Sequence, residues 1–494
     1  MSLHYLKNIF LKPRDFLFKN RSVKQTIFKN TLWLAIAEGI GRFLKLILII
    51  YVARVLGATG YGEFTFALSF VSLFVIFSDF GLTQIIVREF AQDGEREKEF
   101  SSIFSLRIIL SLGVLFLISI GSFLITPNLV IRKAIWILAV YILVDSLSAT
   151  FFAFLKARQQ MQYEATAKIL EAVVVTGLGF FIMSIFPSVE NLSYSYLFAA
   201  LSALTFILIF FHFKIFPLKI SFKKTIWKKF LSLSWPLGLA AVFATIYGNI
   251  DSSFMGYLGE ISQTGWYNAA YKIIGVTLIP PALISQAFYP ALSIAFKESK
   301  ERLQRIWNLQ TELMILFAVP LVVGGITLAP RIIDFIYDPS FSPSVLVFQL
   351  LIIMAGLFFI CSSFSQILIV FNQQRKFLWV ALWGAIINIG LNLALIPRLS
   401  LYGAAFTRVI TQILILCLLL KFTLRTGVVK PLNFKFLLIF LGAGVCSTLM
   451  YFVISWSKVY NLNVLLCTLI GTGVYFVSFL GYKKLINKIF TYDF

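Results

Sequence analysis

Three charged residues sit inside an otherwise apolar run: Glu38, Arg42 and Lys45 in "TLWLAIAEGIGRFLKLILIIYVARVLG", residues 31 to 57. Their i, i+4, i+7 spacing puts all three on one face of a helix. A charge at mid-bilayer costs about 2.5–3.5 kcal/mol on insertion scales, so three in one span need a paired or wet environment. Two cations against one acid leave the face net positive even if Glu38 pairs with Arg42. The chemistry that suits such a face is capture of an anion. Further ionisable residues fall at depth in other apolar runs: Asp79, Asp145, Asp251, Lys272 and Arg408. At 1.5 Å per residue, Glu38 and Asp79 lie about 12 Å from the inner membrane boundary, and Asp251 and Lys272 about 9 Å from the outer one, close enough in depth to pair. Arg107, Glu171 and Glu312 lie near the inner interface, where long side chains snorkel to water, and read as structural. Asn388, Asn392 and Gln412 read as helix–helix hydrogen-bonding groups.

The elements that must position these residues are membrane helices. Of 494 residues, 59% are hydrophobic and only 13% charged, and Phe alone accounts for 53. Apolar runs of bilayer-crossing length recur throughout, and backbone polar groups in hydrocarbon must be satisfied within each run. The predicted spans are 30–53, 62–87, 101–125, 134–155, 167–186 and 192–211, then 231–257, 266–292, 309–329, 343–370, 377–396 and 401–420, and finally 434–454 and 462–482. The fold class is therefore all-α integral membrane with about fourteen transmembrane helices. Most of the 43 Lys and Arg residues fall in the connections on the amino-terminal side. Positive loops stay in the cytoplasm, so both termini are expected there.

Residues 54–67, "RVLGATGYGEFTFA", and 256–272, "GYLGEISQTGWYNAAYK", resemble one another. Leu56-Gly57 followed by Thr59-Gly60-Tyr61 matches Leu258-Gly259 followed by Thr264-Gly265-Trp266. Six spans separate the two turns, so the copies point the same way and the repeat is parallel. The organisation read from this is a basic amino-terminal segment 1–29, an N-lobe 30–212, a C-lobe 213–424 that begins with a basic linker, and a final pair of spans with a tail, 425–494. Segment 1–29 has no apolar core with a cleavage site and reads as a cytoplasmic lead-in. In the linker, Lys223, Lys224, Lys228 and Lys229 alternate with Phe222, Ile226, Trp227 and Phe230, as in a helix lying in the headgroup zone. Pro236, Pro280, Pro281 and Pro290 should bend or break the seventh and eighth spans.

Several function classes are excluded. The net charge of +22 is spread over many cytoplasmic segments instead of one basic face, which argues against nucleic acid. His4 and His212 are the only histidines, and Cys361, Cys417, Cys446 and Cys467 all lie in predicted spans, so no metal site, disulfide or cofactor is expected. No GxxxxGK[ST] phosphate loop occurs, and no sizeable water-exposed domain remains to hold a polar acceptor, so an enzyme is not expected.

The charged first span, the Leu-Gly…Thr-Gly-aromatic turn, the two six-span halves and "SDFGLTQIIVREFA" (78–91) together resemble the polysaccharide flippase family, part of the multidrug, oligosaccharidyl-lipid and polysaccharide exporter superfamily. That resemblance implies two six-helix lobes around a cavity open alternately to each side of the cell membrane. The implied cargo is a lipid phosphate- or pyrophosphate-linked oligosaccharide, moved from the cytoplasmic to the outer leaflet. It singles out Arg42, Lys45 and Lys272, with Arg408 at matching depth, as substrate-binding residues. Glu38, Asp79, Asp145 and Asp251 become charge partners or carboxylates that couple H⁺ or Na⁺. The last two spans resemble a pair appended in lipid flippases, where they would offer a groove to the lipid tail. The chain departs from peptidoglycan-precursor flippases in lacking an arginine triplet that can be placed. Two other readings stay open: a small-molecule exporter of the same superfamily, whose site should be net acidic, and a non-transporting scaffold that joins other glycan assembly proteins.

Overall fold

The computed structural model describes residues 23–92, 97–216, 220–371, 373–425, 427 and 434–490; most of the amino-terminal segment and the final residues of the tail lie outside it. Among the described residues every regular element is helical. In chain order these are α1 (Val23–Asp79), α2 (Leu82–Gln92), α3 (Glu97–Ile125), α4 (Leu129–Ala157), α5 (Met161–Ile185), α6 (Val189–Lys214) and α7 (Lys224–Tyr257). There follow α8 (Ile261–Thr277), α9 (Ile279–Glu298), α10 (Lys300–Ile336), α11 (Ser344–Val370), α12 (Gln374–Leu424), α13 (Phe434–Ser455), α14 (Ser457–Tyr460) and α15 (Val464–Phe490).

Among the described residues eleven helices are long and apolar enough to cross a membrane, or twelve with the bent pair 224–239 and 241–257. Two of these are double: Phe28–Ala91 runs 64 residues and Arg375–Leu424 runs 50. A bilayer needs only about 20 residues, so neither is one traverse. Each is broken where it must turn back, at Gly57 (φ 65°) and at Ser400 (φ 53°). Twelve helices with two of them double give the fourteen crossings that hydropathy predicts, in a multi-pass membrane protein.

The sequence repeat also has a conformational counterpart. Gly57 and Gly259, the glycines aligned between the two turns, both adopt left-handed φ, 65° and 82°. An L side chain is strained there, which accounts for glycine at both sites. The proline expectation holds for the eighth span, which breaks between α8 and α9 just before Pro280-Pro281. In α7 the helix bends by 44° a few residues after Pro236.

The chain forms two compact units, Met1–Gly259 and Glu260–Phe494. In the first, α1 packs on α5, where a Cβ on Gly179 would lie 2.6 Å from Leu48, and α7 packs on α1 with Gly256 against the Phe66 ring. The end where α2, α3, α4, α6 and α7 converge is filled by Phe90, Phe100, Phe151, Phe154, Phe211 and Phe230. The linker is fastened to this end. Trp227 Nε1 donates to Ser102 O at 2.8 Å, and the Lys223 N–H to Ser102 Oγ at 3.2 Å. Phe230 is fully buried, so the alternation of 222–230 resolves differently from the headgroup picture: Phe222, Lys224 and Lys228 are exposed while Trp227 and Phe230 bind the linker to the bundle. Aromatic spacing alone does not distinguish a headgroup from a phenylalanine core.

In the second unit α10 is the spine. On one side it packs on α9 and α11, with Trp307 buried against Phe364. On the other it carries α13 and α15 through Ile315, Leu328, Ala443, Cys446, Met450 and Tyr475. That contact is held at both ends by polar groups. Arg331 donates to the carbonyls of Tyr460 and Leu462, and Lys483 meets Glu312 at 2.9 Å.

Candidate functional site

The first span is helical because Leu, Ile and Phe fill three of its faces, and its fourth carries the charges. Arg42 donates through Nε to Glu38 Oε1 at 2.7 Å, one turn apart on α1. Both side chains are 53% exposed on the first unit. The same helical face includes Ala35 and Gly39, also exposed, and a Cβ at Gly39 would meet nothing within 4 Å. The pair therefore stands beside open space, not inside a packed contact. At 1.5 Å per residue, Glu38 lies about 28 Å from the turn at Gly57, toward the inner end of the span, and Arg42 about 22 Å from it. Acyl chains are a poor environment for such a pair, so a face exposing it is one that meets water or a polar ligand.

Lys45, one turn further on, behaves differently. It reaches across to α5 and meets Glu171 Oε1 at 2.9 Å, with the carboxylate 10% exposed. Asp145 on α4 lies within electrostatic reach of Lys45, Glu171, Lys168 and Arg107, and the Tyr141 and Tyr196 rings, 5.7 Å apart, enclose the same group. A signal for this partnership was present in the sequence. Glu164, Lys168 and Glu171 repeat on α5 the i, i+4, i+7 spacing of Glu38, Arg42 and Lys45 on α1, and Lys168 pairs with Glu164 at 2.9 Å just as Arg42 pairs with Glu38. Lys156 meets the same Glu164 at 3.2 Å.

Asp79 closes α1 where Phe80 (φ 42°) and Gly81 (φ 79°) turn the chain into α2. Hydropathy runs straight through this point, and the second span was expected unbroken to residue 87. The break follows from two features. A Cβ on Gly81 would lie 2.6 Å from Ser234 O and 2.8 Å from Gly238 N of α7, so only glycine permits the approach. The Asp79 carboxylate accepts from Thr83 N at 3.1 Å and from Thr83 Oγ1, tying the new helix to the old one. Asp79 also meets Arg107, which is 2% exposed and donates through Nε to Ser146 Oγ at 2.8 Å; Ser146 in turn bonds Ser78 Oγ at 2.8 Å. Arg107 thus does not snorkel. It is turned into the bundle by a carboxylate that depth in the membrane could not reveal.

The structure brings together Lys45, Glu171 and Asp145, and joins Asp79 to Arg107, all within the first unit. Asp251 is also in that unit, buried on α7. Lys272 and Arg408 belong to the second unit, where Arg408 is buried with its guanidinium 5.2 Å from the centre of the Tyr271 ring, beside Lys272 in sequence. Glu171, Ser146, Tyr141 and Tyr196 are the members of the site that the sequence did not assign to it. The three residues read as helix-packing amides are buried: Asn392 donates to Asn388 at 3.2 Å along one helix, and Gln412 bonds Cys361 across two.

Comparison with known proteins identifies the family and the fold. A sequence model described as polysaccharide biosynthesis protein matches residues 27–296. A Haloferax volcanii protein named probable low-salt glycan biosynthesis flippase is 22% identical over 384 residues, 76% of this chain and 79% of that one. A Shigella flexneri protein provisionally named O-antigen transporter is 24% identical over 356 residues, 68% of this chain and 82% of that one. Among solved structures, the lipid II flippase MurJ in an inward closed conformation superposes with a TM-score of 0.78 at 17% identity, covering 94% of this chain and all of the other. That likeness establishes the fold, and the family expected from the sequence motifs is the one matched.

Proposed function

The chain belongs to the polysaccharide biosynthesis protein family, and on that premise we propose that it is a flippase for a lipid phosphate- or pyrophosphate-linked oligosaccharide. The two relatives named for glycan flipping and O-antigen transport support this reading. The observation that carries it is Arg42: a guanidinium half exposed within a membrane span, beside a helix face left open by Ala35 and Gly39. A sugar phosphate cannot enter hydrocarbon unaided, and a planar guanidinium replaces its hydration with charge-assisted hydrogen bonds. Lys45, anchored by Glu171, adds positive potential one turn away. Lys272 and Arg408 are the corresponding cations of the second unit. Rocking of the two lobes would then expose the bound headgroup first to the cytoplasm and then to the outer face of the cell membrane, with both termini cytoplasmic.

For coupling to H⁺ or Na⁺, the carboxylates are unequal. Asp79 is committed to Arg107 and Thr83 and Glu171 to Lys45, while Glu38 faces the guanidinium of Arg42. Asp145 has four charged groups in reach but no ion pair, and is the carboxylate we assign to the coupling ion. The test is reconstitution of the purified chain into vesicles with a fluorescent lipid-linked oligosaccharide. Arg42→Ala should lower transport by about 10- to 100-fold, as expected for removing one hydrogen bond to a charged group. Wild-type vesicles that flip nothing would favour the scaffold reading, drug export without lipid flipping would favour the exporter, and indifference to both ion gradients would remove the coupling role.

A further inference from the structure

We propose that Glu38 is a built-in counter-ion that occupies the anion-binding edge of Arg42 and exchanges places with the cargo phosphate. This rests on the reading of Arg42 as the phosphate-binding residue. The argument comes from the way the cations near the site are held. Lys45 and Arg107 are fixed by carboxylates on other helices, Glu171 on α5 and Asp79 on α1 for the arginine of α3, and the atoms that join them lie inside the bundle. Releasing either would strand a buried charge, which costs several kcal/mol. Arg42 is held by its own helix. Glu38 takes both the Nε and the Nη2 edge of the guanidinium, at 2.7 Å each, through the single oxygen Oε1. That is the same edge a phosphate would grip in a two-pronged contact.

The Glu38–Arg42 contact can be traded where the others cannot. Both partners are half exposed, and an exposed i, i+4 pair is worth only a fraction of a kcal/mol. The room needed for the exchange exists, because Ala35 and Gly39 beside the pair are small and exposed and Gly39 has nothing near the place of a Cβ. With cargo absent, Glu38 keeps the arginine neutralised. When the phosphate arrives it displaces the carboxylate, and at the outer side the returning carboxylate competes the phosphate off. Glu38 is thus a positioning residue for release, and its effects on binding and on turnover should have opposite sign.

The experiment is titration of the detergent-purified chain with geranylgeranyl pyrophosphate, paired with the vesicle flipping assay. Glu38→Gln keeps the size of the side chain and removes its charge. It should bind the probe about two- to fivefold more tightly, the range expected for losing an exposed competing ion pair, and flip more slowly than wild type. Arg42→Ala serves as the control for the underlying site. If Arg42→Ala binds the probe as wild type does, Arg42 is not the phosphate ligand and both proposals fall. If Arg42→Ala loses binding while Glu38→Gln binds no tighter, the counter-ion role alone is overturned. Tighter binding with unchanged or faster flipping would equally remove the role in release. Thermal melting of Glu38→Gln within a degree or so of wild type confirms that the comparison is between folded proteins.

Discussion

The two units differ in what their interiors hold. In the first, helices are joined by ions: Asp79 with Arg107, Lys45 with Glu171, and Glu164 with Lys156 and Lys168. In the second, several of the described contacts between buried polar side chains are neutral. Gln310 donates to Gln366, which donates to Ser285 O; Trp307 Nε1 reaches Ser363 O at 3.3 Å; Asn392 meets Asn388; Gln412 meets Cys361. Among its described cations, Lys483 pairs with Glu312, Arg331 donates to the carbonyls of Tyr460 and Leu462, and Arg408 lies over the Tyr271 ring. Burying ions carries a desolvation cost of several kcal/mol each, whereas amides join helices at little cost. The first unit thus carries the costlier interior, and it is the one that holds Arg42, Lys45 and Asp145.

Arg107 offers the strongest way to break that contrast. Arg107→Ala strands the Asp79 carboxylate and frees Ser146 in the bundle interior, and should cost about 3–5 kcal/mol, read as a large fall in melting temperature of the detergent-purified protein. The double variant Asp79→Leu, Arg107→Met, which removes both charges while filling the space, should recover most of that loss. A single variant that melts like wild type would mean that the pair is solvated and that the first interior is no more demanding than the second.

The neutral network gives the middle case. Gln366→Leu removes the acceptor of Gln310 and the donor to Ser285 O, and leaving buried polar partners unsatisfied costs about 1–3 kcal/mol. Replacing Gln310 and Gln366 together by Leu should be milder than Gln366→Leu alone, because no amide is then left orphaned. If the double variant instead falls as far as Arg107→Ala, the polarity of the two interiors does not set their stability.

The same contrast marks what could be read from the sequence. The spans, the glycine turns at 57 and 259 and the charged face of the first span were legible because each depends on local periodicity or on one residue's φ preference. Lys45 was legible as a charge but its role was not, since Glu171 is 126 positions away and only the packing of α1 on α5 joins them. The repeated i, i+4, i+7 spacing on α5 was a hint of that packing, visible once two charged faces are set side by side. Arg107 was misread for a different reason: depth says how far a side chain is from water, not which way it turns. The break at Phe80-Gly81 escaped because hydropathy is blind to a local change of backbone conformation that keeps its neighbours apolar.

Glu312 and Lys483 give the smallest effect and the finest test. They form an interhelical ion pair of the second unit, 2.9 Å apart, joining α10 to α15. The carboxylate is 8% exposed, but the lysine is 32% exposed and has a long stem with which to reach water. Glu312→Gln keeps a hydrogen-bonding group in the buried position and lets Lys483 turn outward, so the cost should be below about 1 kcal/mol, as for partly exposed pairs generally. The apolar contact of Ile315, Ala443, Cys446 and Met450 would hold the last two spans in place regardless. Melting curves of Glu312→Gln beside Arg107→Ala decide the matter: a small shift next to a large one ties the price of a lost ion to its burial, whereas equal shifts would show that the second unit rests on buried charge as heavily as the first.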